Sequence, residues 1–175
     1  MRIPLFLACI LALLSQYAAP TQGPVAAVEG IVHHDIVAKY PTVVYLEEMA
    51  GRTFSPPAEK PRVEMQKKNF SPRVLPVLVG TTVEFFNGDR NNHSIASPDG
   101  EKYNLGQIKP GETLTHAFSS PGVYLQACSH HPDAVGYVLA LSTPFFALAD
   151  EKGAFRIPNV PAGKWKLKVW NEGLG

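Results

Sequence analysis

Cysteine is nearly absent from this chain: two residues among 175, Cys9 and Cys128. That excludes a disulfide-stapled scaffold and a zinc site built on paired cysteines. Long apolar runs are also missing. The longest, residues 3–14, falls short of the roughly 20 residues a transmembrane helix needs, so no integral membrane protein is expected. No charge dominates, with 16 basic and 15 acidic residues for a net charge of +1, and no basic stripe appears. A nucleic-acid partner is therefore not expected. No apolar positions recur at helical spacing over a long window, which argues against amphipathic helices. Nor is there a convincing catalytic triad, carboxylate pair or phosphate loop, so no enzyme is expected.

What is present points to turns and strands. The 16 prolines and 14 glycines suit many short connections, and the 45% apolar content suits one compact core. The N-terminus has the anatomy of a secretory signal peptide: Arg2, the apolar run, then polar and small residues 15–24. Residues 1–22 are read as that leader, with cleavage between Ala18 and Gly23, and the protein as periplasmic or secreted. Cys9 as a lipoprotein anchor fits less well, because too little apolar run precedes it. Loss of the leader removes Arg2 and Cys9, leaving equal numbers of basic and acidic residues and Cys128 as the only thiol.

Short β-branched or alternating runs read as strands at 28–32, 42–46, 62–66, 81–86, 112–118, 123–128 and 135–141. Pro72 and Pro76 mark an edge or crossover, and residues 51–61 a surface loop. Asn87-Gly88-Asp89 is a turn signal. The fold class expected is all-β, a Greek-key β-sandwich over residues 23–143. Residues 144–175 have another rhythm, a strand from Phe145 to the turn at Asp150-Glu151-Lys152-Gly153 and further strands at 154–157 and 165–170, and read as a small β-meander packed on or extending the sandwich.

The chemistry concentrates around Cys128. Cys128-Ser129-His130-His131 is a C-x-x-H arrangement at a strand end, and a tight loop there can aim a thiolate and an imidazole at one point. A lone cysteine is more often a small buried hydrophobe. In an oxidising compartment, however, a single thiol must be inert, pair with another chain or bind metal. His93 lies in a polar loop, residues 90–98, and such loops can meet at one end of a Greek-key sandwich. One thiolate and two imidazoles form the set that suits blue-copper electron transfer. By spacing alone, His93 is the least anchored of the three.

The order Asn92-His93-Ser94, Pro121-Gly122-Val123-Tyr124, Cys128-x-x-His131-Pro132 and Gly136-Tyr137-Val138 resembles the cupredoxins of the plastocyanin type. The stretch from Leu75 to Asn87 is similar to bacterial periplasmic plastocyanin-like proteins of the methylamine-utilisation type. Residues 150–170 resemble a carboxypeptidase-regulatory-like β-module. The resemblance implies one copper ion per chain, Cu(I)/Cu(II), bound by His93, Cys128 and His131, and an unidentified redox partner protein. It also implies a weak axial methionine three, five or six residues after His131, where this chain has Ala134, Gly136 and Tyr137. A fourth ligand is then His130, Asp133, water or none.

The first function expected is a periplasmic electron carrier with a His2Cys site lacking an axial methionine. The alternatives are a copper store or delivery protein, a copper module that binds a small ligand, and an interaction scaffold that has lost copper. Asn91, Asn92 and Ser94 are read as residues that pin the ligand loops by hydrogen bonds. His33 and His34 read as a solvated pair, and His116, in phase with Leu114 and Phe118, as a core histidine.

Overall fold

The computed structural model describes residues 24–49, 51–98 and 102–174. The expected signal peptide lies outside them. The elements run β1 (Val25–Ile31), a short 3-10 turn (Asp35–Ala38), β2 (Thr42–Glu48), β3 (Arg62–Gln66), β4 (Asn69–Ser71), β5 (Val74–Leu78) and β6 (Thr82–Asn87). They continue with β7 (His93–Ser97), β8 (Tyr103–Ile108), β9 (Thr113–Ala117), β10 (Gly122–Cys128), β11 (His131–Leu141), β12 (Phe146–Leu148), β13 (Ala154–Pro161) and β14 (Trp165–Asn171). No helix among the described residues is long and apolar enough to cross a membrane.

The chain forms the expected all-β Greek-key sandwich. One sheet has four strands in the order β4-β3-β6-β9 and the other five in the order β5-β11-β10-β7-β8. Period-two alternation explains how they pack. Val83, Phe85 and Asn87 on β6 face inward, as do Tyr124, Gln126 and Cys128 on β10. These strands close a core that also holds Val63, Met65, Phe70, Ile95, Ile108, Phe118 and Val138. Each buried side chain of this size contributes about 1.5–3 kcal/mol relative to exposure. Proline is tolerated in β5 because that strand is the sheet edge, with Pro76 opposite Leu139 in a parallel pair.

Two segments differ from expectation. Residues 93–97, read as loop, form β7. The alternation is hidden in the sequence because two of its three inward residues, His93 and Ser97, are polar. Strand β8, unassigned from the sequence, pairs with it.

The C-terminal strands are completed by strands from the N-terminus. β13 pairs with β1, and β2 lies between β12 and β14. The reason is burial on both faces of β2. Val44 and Leu46 pack with Phe155, Ile157 and Val160, whereas Val43 packs with Val74, Leu139 and Leu141 of β5 and β11. A strand apolar on both faces belongs at a sheet centre. The same join carries Tyr137 against Trp170, ring centroids 5.1 Å apart, and a bidentate ion pair of Arg73 with Glu172 at 2.7 Å. Arg73 also donates to the carbonyl of Val135 at 3.1 Å, which fixes the strand that begins at His131.

Gly136 allows β11 to approach β4 closely. A Cβ there would lie 2.8 Å from Phe70 Cβ and 3.3 Å from the carbonyl oxygen of Arg73, and Phe70 is itself buried. Gly136→Ala is expected to cost about 1–3 kcal/mol by overpacking, read as a lower midpoint in denaturant unfolding.

Candidate metal centre

Strand alternation and strand order bring the candidate ligands together. β7 and β10 are antiparallel neighbours, with Ala96 opposite Ala127. His93 opens β7 and Cys128 closes β10, so both stand at the same end of the sheet, and alternation turns both inward. After Cys128 the chain turns through Ser129 and His130 and re-enters the sheet at His131 as β11. The register slips there: Ala127 pairs with Val135, but Cys128 pairs with His131. Residues 132–134 therefore form an excursion that leaves His131 beside Cys128.

His93 Nδ1 lies 3.7 Å from Cys128 Sγ and His131 Nδ1 lies 3.8 Å from it. One ligand atom from each of the three residues falls within 4.8 Å of the others. The two imidazole rings are 4.8 Å apart. His93 and Cys128 are buried, at 0% and 3% exposure, whereas His131 is half-buried at the surface. One soft sulfur and two imidazole nitrogens converging at this range fit a single transition-metal ion, which these three residues would hold.

The surroundings hold the ligands in place. The Ser94 backbone N–H points at Cys128 Sγ at 3.4 Å. Ser94 Oγ accepts from Ser129 N at 2.8 Å and lies 3.8 Å from the sulfur, so one serine fastens the two ligand segments. Asn87, 0% exposed, donates to the carbonyls of Asn91 at 2.8 Å and Ile108 at 3.0 Å, and accepts from Asp89 N at 3.0 Å. Asp89 Oδ2 is 2.9 Å from His93 Nε2. Burial pushes the Asp89 carboxyl upward, but the backbone N–H groups of Lys68 and Lys67 and the neighbouring His93 outweigh it, so the group stays below the ordinary carboxylate range. His131 is held below the usual imidazole value, by desolvation first and then by His93 and Lys68. A neutral ring is the form that can ligate.

Among the described residues the converging set is His93, Cys128 and His131. His130 and Asp133 are exposed, and His130 Nδ1 faces the Ser129 hydroxyl at 3.4 Å. Ala134 is buried in the core cluster that includes Cys128 and Met65, while Met49 is 73% exposed. Ser94 pins the ligand segments as expected. The backbone carbonyl of Asn91 anchors Asn87. Asn87 and Asp89, read from sequence only as turn residues, turn out to be structural supports of the site, and their Asn-Gly-Asp spacing was the available signal. His116 stacks on Tyr103 with centroids 3.8 Å apart, and His34 Nδ1 accepts from Ile36 N at 3.1 Å in an exposed turn.

No family model matches the chain, and no curated protein does. Solved structures do match. The chain is similar to a purple cupredoxin. That protein, from Nitrosopumilus maritimus, is 29% identical over 47% of this chain and 100% of its own, with a TM-score of 0.44. A copper-containing nitrite reductase from Thermus scotoductus is 27% identical over 64% of this chain and 28% of its own, TM-score 0.47. A mutant of amicyanin in its Cu(I) form is 22% identical over 55% of this chain and 99% of its own, TM-score 0.45.

Asn87→Ala removes three hydrogen bonds, among them the one to the Ile108 carbonyl. It is expected to cost about 1–3 kcal/mol of stability and to loosen the segment that carries His93, read as faster amide exchange at Ser94 and Ile95 than in the native protein.

Proposed function

We propose that this chain is an exported, mononuclear copper-binding protein of the cupredoxin kind, a periplasmic electron carrier that holds copper with His93, Cys128 and His131. The observation that carries the reading is the convergence of one buried thiol and two imidazole Nδ1 atoms at 3.7 and 3.8 Å from the sulfur. Sulfur favours Cu(I), and imidazole serves both oxidation states. When bound, copper supplies a one-electron Cu(I)/Cu(II) couple.

The chain's own residues do the rest. Cys128 and His93 are enclosed by the core, which keeps water from the sulfur. Ser94 directs a backbone N–H at that sulfur and stabilises its negative charge. His131 is half-buried beside exposed Pro132, which makes its ring edge the point of electron entry and exit for a docked redox protein. The sandwich of residues 23–143 and the segment 144–175 are part of the same reading, with β1 and β2 joining the latter. The chain is then a carrier rather than an enzyme.

A second reading has one observation behind it. Alanine, glycine and tyrosine stand at positions 134, 136 and 137, where the resemblance puts methionine. A store, a delivery protein or a site that admits a small ligand would have no need of that residue.

Titration with Cu(II) is expected to give one equivalent bound and an intense sulfur-to-copper band in the visible, with a reversible one-electron wave in voltammetry. Cys128→Ser is expected to abolish the band while the protein stays folded. A weak spectrum with no reversible wave would favour the store or delivery reading.

A further inference from the structure

We propose that Asp89 is a positioning residue of the metal centre: its carboxylate selects the form of His93 in which Nδ1 is free to bind metal. This rests on the copper reading above. His93 is 0% exposed, so both of its ring nitrogens must be accounted for within the protein. Nε2 lies 2.9 Å from Asp89 Oδ2, and Nδ1 faces Cys128 Sγ at 3.7 Å. An ionised carboxylate has no hydrogen to give. The hydrogen of that bond must therefore sit on Nε2, and in the neutral ring the lone pair is then on Nδ1, on the side of the thiol. The opposite tautomer would set a lone pair against the carboxylate and an N–H against the ligand position. A carboxylate behind a ligating imidazole also fixes the orientation of the ring.

The carboxylate is itself immobilised. Oδ1 accepts from Lys67 N at 2.7 Å and Oδ2 from Lys68 N at 2.8 Å. Both lysines have left-handed backbones, φ 51° and 63°, a conformation that non-glycine residues rarely adopt twice in succession. Capping of both N–H groups helps hold that turn. Three hydrogen bonds thus converge on two oxygens of a side chain only 17% exposed, and the carboxylate cannot swing away from His93. Asparagine has the same shape but one acceptor oxygen, so at this position it must turn a donor either on Nε2 or on a turn N–H.

The test begins with the native protein free of metal. Long-range nitrogen–proton correlations of the His93 ring are expected to show the proton on Nε2. In Asp89→Asn and Asp89→Ala that preference is expected to weaken. Cu(I) affinity is expected to fall roughly 10–100-fold, and the reduction potential to rise as a negative charge is lost behind the ligand. A native ring protonated on Nδ1 would overturn the proposal. So would an Asp89→Asn protein with lower thermal stability but unchanged affinity and potential, the result expected of a residue that only caps the turn. Failure of the native protein to take up copper, with the proton on Nε2, would overturn the copper reading and still support the selection of the tautomer.

Discussion

The alignment of β7 against β10 is the constraint on which the site depends. With Ala96 opposite Ala127, the inward positions of the two strands fall opposite one another, and His93 and Cys128 close the sheet at one end. A one-residue slip would reverse every side chain on one strand and carry a ligand to the outer face. The register is fixed by what lies beneath the ligands. Ile95, Tyr124 and Gln126 are buried on the same inner faces, and Ile95 and Tyr124 share the cluster with Phe85 and Phe118 of the opposite sheet. The hydrophobic term is therefore what holds a polar site in place. Exposing that core to recover another register would cost several times the value of any single bond at the site.

Above this floor, polar groups fix the details. A buried side chain that satisfies two carbonyls and one N–H, as Asn87 does, leaves no low-energy alternative for the segment it anchors. Ser94 does the same between the two ligand segments. The outer join contributes from the other side, where Arg73 ties the carbonyl of Val135 to Glu172. β11 is thus clamped four residues beyond His131. Its residues 138–141 are buried on both faces, because the sheet that contains β2 covers the side turned away from the core.

How much of this was legible in the sequence depended on residue type. Val83, Phe85 and Val138 announce strands because apolar alternation is a strong signal, and the sandwich followed from such runs and the turns between them. Cys128 and His131 were legible because they are close in sequence and one turn joins them. β7 was not, since its inward face carries His93 and Ser97, and polar inward residues mimic a loop. Asp89 was read only as part of a turn, because its donors Lys67 and Lys68 are brought to it by a parallel pairing of β3 with β6, although its partner His93 lies only four residues further along the chain. Nothing local in the sequence predicts that pairing. The interleaving of β2 between β12 and β14 has the same origin, a contact between the two ends of the chain.

Two of the three candidate ligands, His93 and Cys128, are supported directly by protein groups. Nε2 of His93 is held by Asp89, the sulfur of Cys128 faces the backbone of Ser94, and Ser94 is held in turn by Ser129. The positions of His93 and Cys128 are therefore set by the fold itself. With copper bound as proposed, such a site would resist the change of geometry between Cu(I) and Cu(II), and low reorganisation is what electron transfer requires. The half-buried position of His131 complements it. The two ligands that need protection from water are in the core, and the one that could meet a partner is at the boundary. A store or delivery protein gains little from such rigidity, since release calls for ligands that can part. The network around His93 and Cys128 therefore supports the proposed carrier over the proposed store.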